Sequence, residues 1–124
     1  MSGQAIIWVA LGGALGAVGR YLVGLLLKTA SGFPWATMSV NILGSLLLGL
    51  VIGWLSRQNG GGEVLRLFLA VGILGGFTTF SAFSMDLFEL LQKREMATTM
   101  LYLGGSLVGG LAAFIIGFTA LRAA

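Results

Sequence analysis

The chain has no cysteine, no histidine, a single proline and only four acidic residues among its 124. Without cysteine there is no disulfide and no thiolate metal site. Without histidine the commonest general base is missing. The four acids, Glu63, Asp86, Glu89 and Glu95, all fall at the ends of apolar runs. Serine and threonine are plentiful, but a hydroxyl nucleophile needs a base beside it, and no apolar run supplies one. No phosphate-cradling glycine loop or metal-ligand cluster is present. The sequence therefore reads as no enzyme, which leaves a transport pathway or a structural role. The net charge of +3 is spread over the ends and forms no patch for nucleic acid.

Charge is as scarce as chemistry. Charged residues make up 9% of the chain and hydrophobic ones 57%, against roughly 25% charged in soluble domains. A soluble helix needs a polar face, and Leu43 to Leu55 has none. Helices apolar all round face lipid or a large core, and a chain this short builds no such core. Crossing the hydrocarbon takes about 20 apolar residues. Four runs meet that length, at about 5–27, 35–56, 67–85 and 97–121. The turn between the first two carries Lys28, Ser31, Gly32 and Pro34, and the next loop carries Asn59-Gly60-Gly61-Gly62. Trp35 and Trp54 sit near the ends of the second run, where indole rings favour the interface. The expectation is one all-α integral membrane domain over 1–124, with four antiparallel transmembrane helices. Met1-Ser2-Gly3-Gln4 lacks the basic residues of a signal sequence, so the first span is expected to be retained.

Orientation is the next question. Arg57, Arg66 and Arg122 belong to one side of such a bundle, and Lys28, Lys93 and Arg94 to the other. Lysine and arginine excess normally sets topology, and this count is balanced. Either Arg20 or a partner decides the orientation, or the chain inserts both ways and forms an antiparallel homodimer, an inverted repeat made of two chains. The chain has 21 glycines, and small residues recur at Gly12 and Gly16, Gly49 and Gly53, Gly105 and Gly109. That spacing lets helices approach closely in lipid, either within one subunit or between two.

Polar residues inside the spans are costly and mark pathways or helix contacts. Asn41 and Ser45 lie in the second span; Tyr102, Ser106 and Gly110 share a face of the fourth. The third span concentrates Gly72, Gly75, Gly76, Thr78, Thr79, Ser81 and Ser84. This density predicts a helix broken near its middle, with freed carbonyls that must be buried or line a cavity. Arg20 is the one cation within a span, and no span holds an acid. Donors without negative charge suit an anion.

Three blocks then stand out. Gly12 to Tyr21 reads GGALGAVGRY, Thr37 to Asn41 reads TMSVN, and Gly75 to Ser84 reads GGFTTFSAFS. In content, order and spacing they resemble the CrcB/Fluc fluoride channels over nearly the whole chain. The resemblance implies an antiparallel, dual-topology homodimer with two fluoride pores, exporting fluoride from a prokaryotic cell across its cytoplasmic (inner) membrane. It implies that Phe80 and Phe83 present ring edges to the anion and that Asn41 is a pore donor. Thr79, Ser81 and Ser84 belong to the same hydroxyl-rich segment, and Ser106 and Tyr102 are the fourth helix's polar contribution. Gly75 and Thr78 match positions whose carbonyls hold a structural sodium ion on the dimer axis. Arg20 matches the family's first-helix arginine, with a vestibule or a structural role. The chain departs from the family at Gly110, where a hydroxyl often continues the polar track.

The residues alone leave alternatives open. An aromatic ring has a positive edge, and Phe80 and Phe83 are three apart on one helical face, yet such pairs also pack cores. Asn41 suits an interhelical hydrogen bond as well as a pore, and Arg20 could snorkel to the interface. Two other classes compete with a fluoride channel. Small multidrug transporters are four-helix dual-topology dimers of this size, but they work through a glutamate in the first helix, and no acid occurs before Glu63. A non-transporting accessory subunit is the other.

Overall fold

The computed structural model describes residues 3–28, 32–58 and 62–123. The expected loop residues Ser31 and Asn59 to Gly61 lie outside the described residues. Helix α1 spans Gly3–Leu26 and α2 Trp35–Leu55. The third span is composite: α3 (Glu63–Leu65), a π-helical stretch (Arg66–Leu74), α4 (Gly75–Phe77) and α5 (Phe80–Gln92). Helix α6 spans Met96–Ala123. Among the described residues, four helices are long and apolar enough to cross a membrane: Gly3–Leu26, Trp35–Leu55, Glu63–Gln92 and Met96–Ala123.

Local chemistry sets the boundaries. Pro34 precedes the first turn of α2, where its missing N–H costs nothing. Gly62 enters the third span at φ 109°, a conformation that only glycine adopts freely. The third span covers 30 residues, about 45 Å of helix against about 30 Å of hydrocarbon. Its ends, with Glu63 and Arg66 at one and Glu89 at the other, extend past the apolar stretch because polar turns continue the helix.

Two helix pairs make the bundle. Helix α2 runs along α6, and α1 runs along the π-helical stretch and α4. Both seams are made of glycine. Gly49 and Gly53 of α2 lie against the backbone at Phe114 and Phe118, and Gly117 of α6 lies against Leu46 and Leu50. In the other seam Gly12 lies so close to Gly72 that an added Cβ would stand 2.9 Å from its Cα. Gly105 and Gly109 pack against Met38 and Ile42 of α2. All three small-residue pairs singled out in the sequence therefore make contacts within one chain. The buried cluster is small, Phe83, Leu90 and Tyr102, with Phe33, Met38, Leu87 and Leu103 against it. Leu22, Leu101, Val108 and Ile116 point outward, as lipid permits and water would not.

Candidate functional site

The third span leaves helical geometry at Thr78 (φ −86°, ψ 157°) and Thr79 (φ −152°, ψ 118°), both extended. Two side chains take the amides that helical bonding would have used. The Thr79 N–H, which would have bonded the Gly75 carbonyl, donates to Asn41 Oδ1 at 2.8 Å. The Ala82 N–H, which would have bonded the Thr78 carbonyl, donates to Thr79 Oγ1 at 3.1 Å, a threonine N-cap. The carbonyls of Gly75 and Thr78 are thereby released from those bonds. Asn41 Nδ2 returns a bond to the Thr79 carbonyl at 3.0 Å. A backbone N–H can only donate, so the amide orientation of Asn41 is fixed. Arg20 Nε donates to the Gly76 carbonyl at 3.3 Å, and Thr78 Oγ1 donates to the Leu74 carbonyl at 2.9 Å. Helices α1 and α2 each contribute one side chain to hold the interruption.

A cavity of about 270 Å³ opens beside it, lined by Asn41, Gly44, Ser45, Leu48, Thr78, Thr79, Phe80, Phe83, Ser106 and Leu107. The two phenylalanine rings lie 6.1 Å apart at 45° in opposite settings. Phe83 is 5% exposed, packed against Tyr102, whereas Phe80 is 79% exposed. Ser106 is the other notable wall. Its Oγ is buried and, among the described residues, has no hydrogen-bond partner. Thr99 and Thr119 on the same helix satisfy their hydroxyls on the carbonyl one turn back, at 2.7 and 2.8 Å. Asn41 has a second amide hydrogen beyond the one given to Thr79. The cavity thus combines hydroxyl and amide donors with aromatic rings, and no acid lines it.

The CrcB family model, described as "CrcB-like protein, Camphor Resistance (CrcB)", matches residues 7–118. The chain belongs to the CrcB family. It is 47% identical over 122 residues to a protein of Novosphingobium aromaticivorans named fluoride-specific ion channel FluC, covering 95% of this chain and 96% of the relative. A Sphingopyxis alaskensis protein of the same name is 50% identical over 116 residues, 92% of each chain. A third, from Thermus thermophilus, is 49% identical over 117 residues, 93% of each. With its four apolar helices, this CrcB chain is a multi-pass membrane protein.

Within this CrcB chain the sequence-predicted residues divide into groups. Asn41, Thr79, Phe80, Phe83 and Ser106 share the cavity. Ser81 and Ser84 are exposed, with Ser84 Oγ bonded to the Phe80 carbonyl at 3.0 Å and Ser81 Oγ 3.3 Å from Thr79 Oγ1. Arg20 lies in a separate cavity of about 340 Å³ with Thr37 and Thr79. Thr79 lines both, so the Asn41–Thr79 pair stands at the partition between them. Gly75 is exposed on the outer face and Thr78 is half-buried. Tyr102 is fully buried outside the first cavity, its hydroxyl donating to Asp86 Oδ2 at 2.9 Å. Asp86 is the site-adjacent residue that sequence reasoning missed, grouped there with the acids at the span end. Its signal was its place one turn beyond Phe83, on the same face of α5.

Proposed function

We propose that this chain is a fluoride-selective channel that exports fluoride across the cytoplasmic membrane of a prokaryote and so protects it. The observation that carries the reading is the cavity joining Asn41, Phe80, Phe83 and the partnerless Ser106 hydroxyl in a chain of this family. Fluoride is small and strongly hydrated, and a pore must replace its water with close donors. The Ser106 hydroxyl and the free Asn41 amide hydrogen supply two, and ring edges of Phe80 and Phe83 supply weaker positive contacts. Thr79, Ser81 and Ser84 continue the hydroxyl-bearing path toward one mouth, and Tyr102, oriented by Asp86, steadies Phe83 from behind. Arg20 forms an electropositive approach on the far side of Thr79.

The working unit is an antiparallel homodimer in lipid, with two pores. The 79% exposure of Phe80 supports this, since one chain leaves its pore wall open on that side. The balance of Arg57, Arg66 and Arg122 against Lys28, Lys93 and Arg94 supports insertion in both orientations. The released carbonyls of Gly75 and Thr78 suit a hard cation such as sodium. One chain offers two such oxygens, and two chains around an axis would double the set. Such an ion would hold the two interruptions together without being transported.

A small multidrug transporter lacks its essential acid here, since no Asp or Glu occurs before Glu63. Fluoride and chloride efflux from proteoliposomes tests the proposal. Rapid fluoride loss with chloride retained is the expected result, and silence for both anions would favour an accessory subunit.

A further inference from the structure

Away from the pore cavity, the N-terminal ends of α1 and the third span enclose a groove of a different character. These helices run parallel, so their starts, Gly3 and Glu63, meet at one end of the bundle. An apolar slot of about 520 Å³ descends between them, floored by Ile6, Val9, Ala10 and Val71. Its rim includes Arg66, which also lines a smaller cavity of about 230 Å³ with Gln4, Trp8 and Glu63. The two spaces are neighbours in this recess, with Ala5, Arg66 and Leu67 in the walls of both. Trp8 stacks edge-on with Phe68, ring centroids 5.6 Å apart, and an indole beside polar groups favours the level of lipid headgroups.

We propose that this recess is a binding site for one zwitterionic phospholipid with a primary amine, of the phosphatidylethanolamine class. The slot takes the upper part of an acyl chain, the Arg66 guanidinium takes the phosphate, and the Glu63 carboxylate takes the ammonium group. The rim carries both charges that such a headgroup needs, in adjacent positions one helical turn apart. Guanidinium forks match phosphate geometry, and a carboxylate accepts hydrogen bonds from –NH₃⁺, which a quaternary ammonium cannot give. Without lipid the two rim residues pair with each other, Arg66 Nη2 to Glu63 Oε1 at 2.8 Å, with side chains 45% and 70% exposed. An exposed pair contributes little by itself, so a headgroup can open it and exchange one ion pair for two. A glycerol headgroup would satisfy Arg66 through its phosphate but offer Glu63 only neutral hydroxyls, with no cation to pair.

The test uses the full-length protein in mild detergent, titrated separately with dioleoyl phosphatidylethanolamine, phosphatidylcholine and phosphatidylglycerol. Native mass spectrometry reads retained lipid, and size exclusion reads assembly. We expect the ethanolamine lipid to be retained about tenfold better than either competitor, the scale of one charge-assisted hydrogen bond. Glu63→Gln should abolish that preference over the glycerol lipid, and Arg66→Gln should weaken all three. Ala10→Leu, which fills the slot, should reduce retention of every lipid while fluoride efflux stays at the parent's rate. If Arg66→Gln does not fold, the other two variants carry the test. Equal retention of the three lipids, preference for the glycerol lipid, or full retention by Glu63→Gln would overturn the proposal. So would a change of oligomeric state in Ala10→Leu with no lipid retained by the parent, which would assign the recess to a second copy.

Discussion

Asn41 pairs with Thr79 as a neighbouring β-strand residue would, accepting from its N–H at 2.8 Å and donating to its carbonyl at 3.0 Å across 38 positions of sequence. One side chain thus satisfies both polar groups of a residue that has left the helix. Asn41→Asp keeps the acceptor, loses the donor and adds a negative charge beside the cavity. We expect it to abolish fluoride efflux in proteoliposomes. Asn41→Leu strands both backbone groups and should also cost about 2–6 kcal/mol of stability, at about 1–3 per unpaired group. Parental melting in Asn41→Leu would show that the bracket does not hold the interruption.

Phe80→Ile and Phe83→Ile should each slow fluoride efflux, because isoleucine keeps bulk but has no ring quadrupole. They should differ in stability. Phe83 is packed against Tyr102 and Leu90, so its replacement should cost about 1–3 kcal/mol, whereas exposed Phe80 should cost little within one chain. Parental efflux in both variants would remove the rings from the pathway.

Ser106 separates function from folding most sharply. Its hydroxyl has no partner in the described structure, so Ser106→Ala removes an unsatisfied polar group and should leave the melting temperature equal or higher. Fluoride efflux should nevertheless fall. A hydroxyl at Gly110 should act the opposite way. A Cβ there would lie 3.5 Å from Ser45 Oγ, an ordinary contact, so Gly110→Ser should fit and raise the efflux rate. An inert Gly110→Ser would confine the polar wall to Ser106 and the residues above it.

Sodium can be tested without mutation. Replacing it with N-methylglucamine throughout purification should lower the melting temperature and promote dissociation of the proposed dimer, and returning sodium should reverse both. Identical melting in the two salts would mean that the Gly75 and Thr78 carbonyls serve something else.

Topology is testable in cells. Lysines added between Arg57 and Glu63 should fix that loop in the cytoplasm, and lysines near Lys28 should fix the reverse orientation. Each variant alone should lose fluoride resistance, and co-expression should restore it. Full protection by one fixed orientation would eliminate the antiparallel assembly.

Hydropathy made the four apolar helices legible in the sequence, since no other solvent accommodates runs such as Leu43 to Leu55. The crowding of glycine and hydroxyls marked 75–84 as the segment of interest, and Asn41 and Ser106, singled out as polar residues inside other spans, line the cavity beside it. What escaped was pairing. An interhelical hydrogen bond was one of the two readings open for Asn41, but nothing local names Thr79 as the partner, or shows that Asp86 turns inward to Tyr102 while Glu89 stays exposed. The π winding of Arg66–Leu74 was invisible for a related reason. Its residues are compatible with ordinary helix, and the seam with Gly12 and Gly16 of α1 is built only in three dimensions. The Glu63–Arg66 pair is a three-residue spacing found on many helices, and it gained meaning only above the slot.

The bracket at Thr79 also constrains the birth of the protein. A ribosome delivers the spans in order, and an extended peptide in hydrocarbon has no water to bond. When the third span enters the bilayer, Thr79 needs an amide from the second, and Gly76 gains one donor from the first. Both earlier spans therefore carry side chains that the third requires as it enters the bilayer. Synthesis order and bonding order coincide for the bonds between spans: Arg20 and Asn41 are both made before the residues they hold. A circular permutant that made the third span first would expose its weakest point to lipid while its support was still untranslated.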